Sequence, residues 1–213
     1  MGYQMPERLA FLESALQGLA FWIGHRRAYY SSYPLSESAL VTEACNLIQA
    51  KLPTNLILRP EILYRRVFDA TGTEIPDKAR ADLVILDSSA PDPYKSYVGD
   101  AVHFLFEVKR GGTSTKLIND DLRRLHAFKS KCRPEARAFF ILASESSLPE
   151  RFVDSEKGES KLHAHPIPGT KGVFHVRRTV KAAASFRNKK TAHYVSIAEV
   201  FSNSPARNEI SKF

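Results

Sequence analysis

Phe106-Glu107-Val108-Lys109 carries the sharpest chemical signal in the chain. It continues an apolar run, His103-Phe104-Leu105-Phe106, that reads as a strand. Residues two apart in a strand point the same way, so Glu107 and Lys109 share a face while Val108 points into the core. Asp82 stands 25 positions earlier, at the head of a second apolar strand, Leu83-Val84-Ile85-Leu86. If the two strands are antiparallel neighbours, the start of one lies beside the end of the other, and Asp82 meets Glu107. Two adjacent carboxylates repel each other and favour a hard divalent cation, Mg²⁺ with Mn²⁺ as its substitute. Such a cation polarises a phosphoryl oxygen and lowers the pKa of a bound water. Lys109 would orient that water or stabilise charge growing on phosphorus. Glu-x-Lys by itself is common as a cross-strand ion pair; Asp82 ahead of an apolar strand, the order of the surrounding elements and the basic charge together favour a site of this chemistry over a solvated charge cluster.

The elements that must position these groups are legible in outline. Pro6 and Glu7 open a first helix running to about Arg27, with Leu9, Leu12, Leu16, Leu19 and Ile23 at helical spacing. Ser36 is placed as the N-cap of a second helix to Lys51, stopped before Pro53. Its buried stripe is Leu40, Ala44, Leu47 and Ile48, and Glu43 lies one step away, able to add a carboxylate if the helix packs behind the sheet. Glu61–Asp69 alternates around Ile62, Tyr64 and Val67 as a strand, and Thr71-Gly72 turns it. Ala81–Leu86 and Ala101–Val108 are the next strands, with a proline-bearing loop between them and Gly111-Gly112 after them. Ser114 caps a helix carrying Leu117, Ile118, Leu122, Leu125 and Phe128, and Arg137–Ala143 is a buried strand. A strand, helix, strand passage favours a parallel crossover, with the earlier strands antiparallel. The expected fold is α/β (α+β), a mixed central sheet flanked by helices. Val173–Arg178 and His193–Ile197 read as further strands and Asp154–Ser160 as an exposed loop.

Asp82, Glu107 and Lys109, in the order helix-strand-strand-strand-helix-strand, resemble the PD-(D/E)XK, restriction-endonuclease-like nuclease superfamily over roughly residues 36–143. The resemblance implies a metal-dependent endonuclease that hydrolyses phosphodiester bonds in nucleic acid, with DNA the expected form. It implies Asp82, Glu107 and the backbone carbonyl of Val108 as Mg²⁺ ligands, Lys109 assisting the attacking water, and Glu43 as the family's helix glutamate. The literal pair Pro76-Asp77 falls in a loop before the strand; Asp82 is preferred because the family's aspartate is followed by the apolar strand itself. Residues 1–35 then form an N-terminal helical extension, and 144–213 a basic C-terminal extension packed on the core of a single nuclease domain. A restriction, phage-defence or mobile-element system is the expected setting.

Thirty-one Lys and Arg against 23 Asp and Glu give +8 over 213 residues, which favours an anionic partner. Hydrophobic residues at 43% and charged residues at 25% exclude large-scale disorder. No apolar run approaches the roughly 20 residues of a membrane span, and the stretch from Leu9 to Ile23 is broken by Glu13, Ser14 and Gln17. Membrane association is therefore not expected. Cys45 and Cys132 form no CxxC pair, which argues against a disulfide framework or zinc site and suits the cytoplasm.

Ser160–Ala198 contains no acid and carries Lys161, Lys171, Arg177, Arg178, Lys181, Arg187, Lys189 and Lys190, interleaved with Phe174, Phe186 and Tyr194. Such a segment suits backbone contact with stacking on unpaired bases; the alternative is a solvated surface over core aromatics. Arg110, Arg123 and Arg124 are further candidate phosphate contacts. Asp120 and Asp121 read as a solvated helix face. His163 and His165 read as loop residues beside Pro166 and Pro168, and His103 and His126 as packing or surface residues. No GKS or GKT follows Gly111-Gly112, so a P-loop is excluded. Two alternatives stand beside the nuclease: a catalytically silent or partner-activated nucleic-acid-binding subunit, and a regulatory protein facing an acidic partner. Two-fold symmetric cutting would require a homodimer, and no feature of the sequence fixes the oligomeric state.

Overall fold

The protein is described by a computed structural model over residues 9–29, 35–145, 147–182 and 192–203. Helix α1 (Ala10–Tyr29) buries Leu12, Leu16, Leu19 and Ile23, four of the positions its spacing marks. Helix α2 (Glu37–Gln49) is capped as expected, the Ser36 hydroxyl accepting the Ala39 N–H at 3.2 Å, and buries Leu40, Ala44 and Ile48.

Strand β1 (Leu56–Leu63) begins earlier than the alternation suggested, and the chain then makes one helical turn, α3 (Tyr64–Val67). The expected strand Glu61–Asp69 is therefore corrected. Tyr64 and Val67 are both buried, but at the i,i+3 spacing of a helical turn rather than on a strand face. Pro60 is tolerated inside β1 because β1 is an edge strand.

Strands β2 (Arg80–Asp87) and β3 (Val102–Arg110), helix α4 (Thr115–Lys131) and strand β4 (Arg137–Ser144) follow in the expected order. β1 with β2 and β2 with β3 are antiparallel, and β3 with β4 is parallel across α4. Strands β5 (Ala164–Pro166), β6 (Val173–Ala182) and β7 (His193–Phe201) extend the same sheet, in the order β1-β2-β3-β4-β7-β6-β5. The fold is thus α+β, a mixed seven-stranded sheet with flanking helices. His165 lies in β5 rather than in a loop.

Each face of the sheet has its own core. Leu83, Ile85, Phe106, Val108 and Ile141 pack under α1 and α2. Val84, Leu86, Leu105 and Phe140 pack with Leu122, Leu125 and Phe128 of α4. No helix among the described residues is long and apolar enough to cross a membrane.

Candidate active site

The β2–β3 ladder runs through Leu83↔Phe106, and one step further it would set Asp82 opposite Glu107. Backbone pairing stops there. In its place Asp82 Oδ2 accepts the Val108 N–H at 2.6 Å. The aspartate thus satisfies a strand donor and is held against β3 by doing so. Glu107 and Lys109 share β3's α4-facing side with Leu105, while Val108 is buried on the other.

Glu107 is 1% exposed. Its Oε1 accepts from the Tyr64 hydroxyl at 2.5 Å and from Arg124 Nε at 3.3 Å. Burial, and next the charge of Asp82, push the Glu107 carboxyl well above the usual carboxylate range. Burial and the Glu107 charge likewise raise the Tyr64 hydroxyl. Lys109 Nζ lies 2.6 Å from Glu37 Oε1, 3.4 Å from Asp121 Oδ2 and 4.0 Å from Asp82 Oδ2. Burial opposes the charged lysine, but Asp121 and Asp82 outweigh it and hold the ammonium above its ordinary pKa. Asp121 Oδ1 pairs with Arg124, and its Oδ2 is buried without a hydrogen bond. Burial raises the Asp121 carboxyl, against the pull of Arg124 and Lys109.

Four carboxylates (Glu37, Asp82, Glu107, Asp121) therefore meet two cations, Lys109 and Arg124. With all groups ionised, the shortfall is two positive charges, which one divalent cation supplies. Among the described residues, no group of three or more His, Cys, Asp or Glu side chains is arranged to hold a metal. Mg²⁺, however, is commonly held by one or two carboxylates together with waters and substrate phosphates. Asp82 and Glu107 fit that pattern. The hydrogen bonds each accepts fall on a single oxygen, Oδ2 and Oε1, so the other oxygen of each carboxylate has no protein donor among the described residues.

No family model matches this chain, and no curated protein matches it. Two solved structures of NucC in its cAAA-bound form are similar. The P. aeruginosa ATCC27853 protein is 12% identical at a TM-score of 0.38, over 62% of this chain and 53% of that one. The E. coli MS115-1 protein is 14% identical at a TM-score of 0.39, with the same coverage of 62% and 53%. The chain spans about half the length of these structures. A likeness of that degree adds nothing to the case for the site, which rests on its side chains.

The helix glutamate that reaches Lys109 is Glu37, not the expected Glu43. Six residues separate them, about 9 Å along the helix axis. The packed stripe of α2 beside Glu43 covers the opposite sheet face, and among the described residues no hydrogen bond or ion pair joins Glu43 to the cluster. Asp121, read as solvated, is buried at 1% exposure; its neighbour Asp120 pairs with Arg123 at 2.6 Å and does match that reading. A signal for Asp121 existed: with Ile118, Leu122 and Leu125 it falls on the buried stripe of α4, whereas Asp120 falls off it. Tyr64 was hidden by the mistaken strand.

Arg110 donates to the Leu35 carbonyl at 2.7 Å and lines a cavity of about 260 Å³ with Glu37, Gly112 and Thr113. Gly111 runs so close to β4 that an added Cβ would lie 2.7 Å from Ser144 Cα, and Gly112 turns with φ 89°.

The basic segment is less of a surface than its sequence suggests. Arg177 is buried, its Nε donating to Glu199 Oε2 at 2.8 Å, while Arg137 grips the same carboxylate at 2.7 and 2.8 Å. That position corrects the expectation of phosphate contact for Arg177, since its charge is engaged in the interior. Arg178 pairs with Glu13 of α1 at 2.7 Å, and Lys181 is half-buried. Phe174 and Tyr194 are core residues at 1% and 0% exposure rather than stacking platforms. Arg187, Lys189, Lys190 and Phe186 lie outside the described residues. Burial raises the thiols of Cys45 and Cys132, both free, in keeping with structural roles. His103 pairs with Asp87 at 2.8 Å on a half-exposed edge.

Proposed function

We propose that this chain is a metal-dependent nuclease that hydrolyses phosphodiester bonds, with DNA as the expected substrate and Mg²⁺, or Mn²⁺ in its place, as the cation. The observation that carries the reading is the meeting of Asp82 with the buried Glu107 where the β2–β3 ladder ends, with Lys109 on the same face.

Asp82 and Glu107 would hold the cation through the oxygens that lack a protein donor, joined by the Val108 carbonyl. The bound cation would polarise a phosphoryl oxygen and acidify a water. The chain's own part is positioning and charge. Asp82, tied to Val108, and Glu107, tied to Tyr64 and Arg124, keep fixed orientations without solvent reorganisation. Lys109, held as an ammonium among three carboxylates, is a donor to the attacking water or to a non-bridging phosphate oxygen, not a base. The chain's net charge of +8 favours a polyphosphate substrate.

The deciding experiment is a cleavage panel over single- and double-stranded DNA and RNA with metals varied. Mg²⁺- or Mn²⁺-dependent cutting that EDTA stops, and that Asp82→Ala and Lys109→Ala abolish, supports the reading. Undiminished cutting by either variant would overturn the site assignment. The second reading is a silent or partner-activated nucleic-acid-binding subunit. It is favoured by the pairing of both cations with the site's own carboxylates, Lys109 on Glu37 and Arg124 on Glu107. Salt-sensitive DNA binding without cleavage under any metal would select it. A restriction, phage-defence or mobile-element role in the cytoplasm belongs to either reading.

A further inference from the structure

Arg124 bridges two buried carboxylates. Its Nε donates to Glu107 Oε1 at 3.3 Å, and its terminal nitrogen pairs with Asp121 Oδ1. Glu107 and Asp121 are each 1% exposed, so the guanidinium is tied into the interior on both sides. Asp121 lies three residues earlier on α4, and the pair therefore shifts as a unit with that helix. From α3, the Tyr64 hydroxyl reaches the same Glu107 oxygen. Glu107 is thus fixed at Oε1 alone.

A guanidinium carries its donors in a rigid planar fork, which a lysine ammonium cannot reproduce across two acceptors. We propose that Arg124, held by Asp121, is a positioning residue for Glu107: it sets the rotation of the carboxylate so that Oε2 is the oxygen presented to a divalent cation. The inference rests on the cation reading above and deepens it. It also runs against the simplest electrostatic expectation. A positive charge beside Glu107 repels a second cation, so a role in charge alone would make neutralisation of Arg124 tighten metal binding. A positioning role makes the same change loosen it.

The test is Mn²⁺ binding to the full chain by calorimetry, with no cleavage involved, for the unaltered protein, Arg124→Lys and Arg124→Gln, each also in a Glu107→Gln background. Circular dichroism and thermal melting show which variants fold. Should Arg124→Gln fail to fold, Arg124→Lys, which keeps the positive charge at this position, carries the test. Positioning predicts that Arg124→Lys weakens Mn²⁺ binding about tenfold, the usual scale for a residue that orients a ligand. With Glu107 already replaced, the same change shifts binding less than about twofold, because the two residues act through one contact. Unchanged or tighter binding in Arg124→Lys overturns the role, as does an equal loss in both backgrounds. In both of those cases the unaltered chain still binds Mn²⁺ and the cation reading stands. No Mn²⁺ binding by the unaltered chain overturns the cation reading and the positioning role with it.

Discussion

Asp82 Oδ2 accepts the Val108 N–H at 2.6 Å at the point where backbone pairing between β2 and β3 stops. On the proposed reading the same carboxylate also holds the cation, and two substitutions separate these duties. Asp82→Asn keeps an oxygen for the N–H and removes the charge. It should melt like the parent and lose cleavage on the order of a hundredfold or more, the scale of losing a preorganised charge contact. Asp82→Ala also strands the N–H, and should cost about 1–3 kcal/mol of stability besides. Thermal melts beside cleavage rates separate the two; equal stability of both variants would remove the structural duty.

Glu37 and Glu43 compete for the place of the helix carboxylate. Glu37 holds Lys109 at 2.6 Å but is itself 43% exposed, so the pair is partly screened. Glu37→Gln should slow cleavage about fivefold, near 1 kcal/mol of transition-state stabilisation, with Glu43→Gln unchanged. The reverse pattern would restore Glu43 to the site.

The two glutamates also show how much was legible. Asp82, Glu107 and Lys109 lie on strands, where a period of two and an apolar run declare which face each residue takes. The antiparallel pairing and the parallel crossover follow from the order of the elements, and together they bring Asp82 to Glu107. Glu37, Asp121 and Arg124 reach the site from helices. A helix places its polar residues according to its rotation against the sheet, and that is settled by tertiary packing. Asp120 and Asp121 are chemically alike in sequence; the register of Ile118, Leu122 and Leu125 separates the buried one from the solvated one. Tyr64 was obscured because Ile62 and Tyr64, two apart, read as strand alternation, and a single helical turn is too short to show a period of its own. The acid-free segment misled for a related reason, as the partner of Arg177 is Glu199, on the neighbouring strand just beyond that segment.

Glu199 pairs with both the buried Arg177 and the half-buried Arg137. Glu199→Gln should destabilise the chain by about 3–5 kcal/mol, because the buried Arg177 and the half-buried Arg137 lose the charge of the carboxylate they share. Arg177→Ala should leave the salt dependence of DNA binding unaltered, read as the slope of log affinity against log salt concentration. A flatter slope in Arg177→Ala would return that residue to the nucleic-acid surface.

His175, on β6 opposite Glu199, is 3% exposed. Burial, and next the Arg177 charge, lower its pKa, with Glu199 opposing them. The folded chain therefore keeps His175 neutral where the unfolded chain, with an ordinary value near 6.5, takes up a proton. Its stabilising contribution is full above about pH 6.5 and is lost as the pH falls, by up to about 1.4 kcal/mol per pH unit, until the folded value is reached. Urea midpoints should drop between about pH 7 and pH 5. His175→Gln should flatten that drop, and an unchanged pH slope would show that other groups cause it. Burial also lowers His165 and His193, so part of the slope should remain.

Tyr64 ties α3 to the site, its hydroxyl donating to Glu107 Oε1 at 2.5 Å inside the core. Tyr64→Phe keeps the ring, which packs edge-on against Phe68 at 5.9 Å, and deletes only the donor. The Glu107 carboxylate is then left with Arg124 alone, and stability should fall by about 1–3 kcal/mol in urea unfolding. The loss should shrink in a Glu107→Gln background, where the charge that needs the donor is gone. A Tyr64→Phe protein as stable as the parent would mean that solvent or Arg124 satisfies Glu107 without the tyrosine.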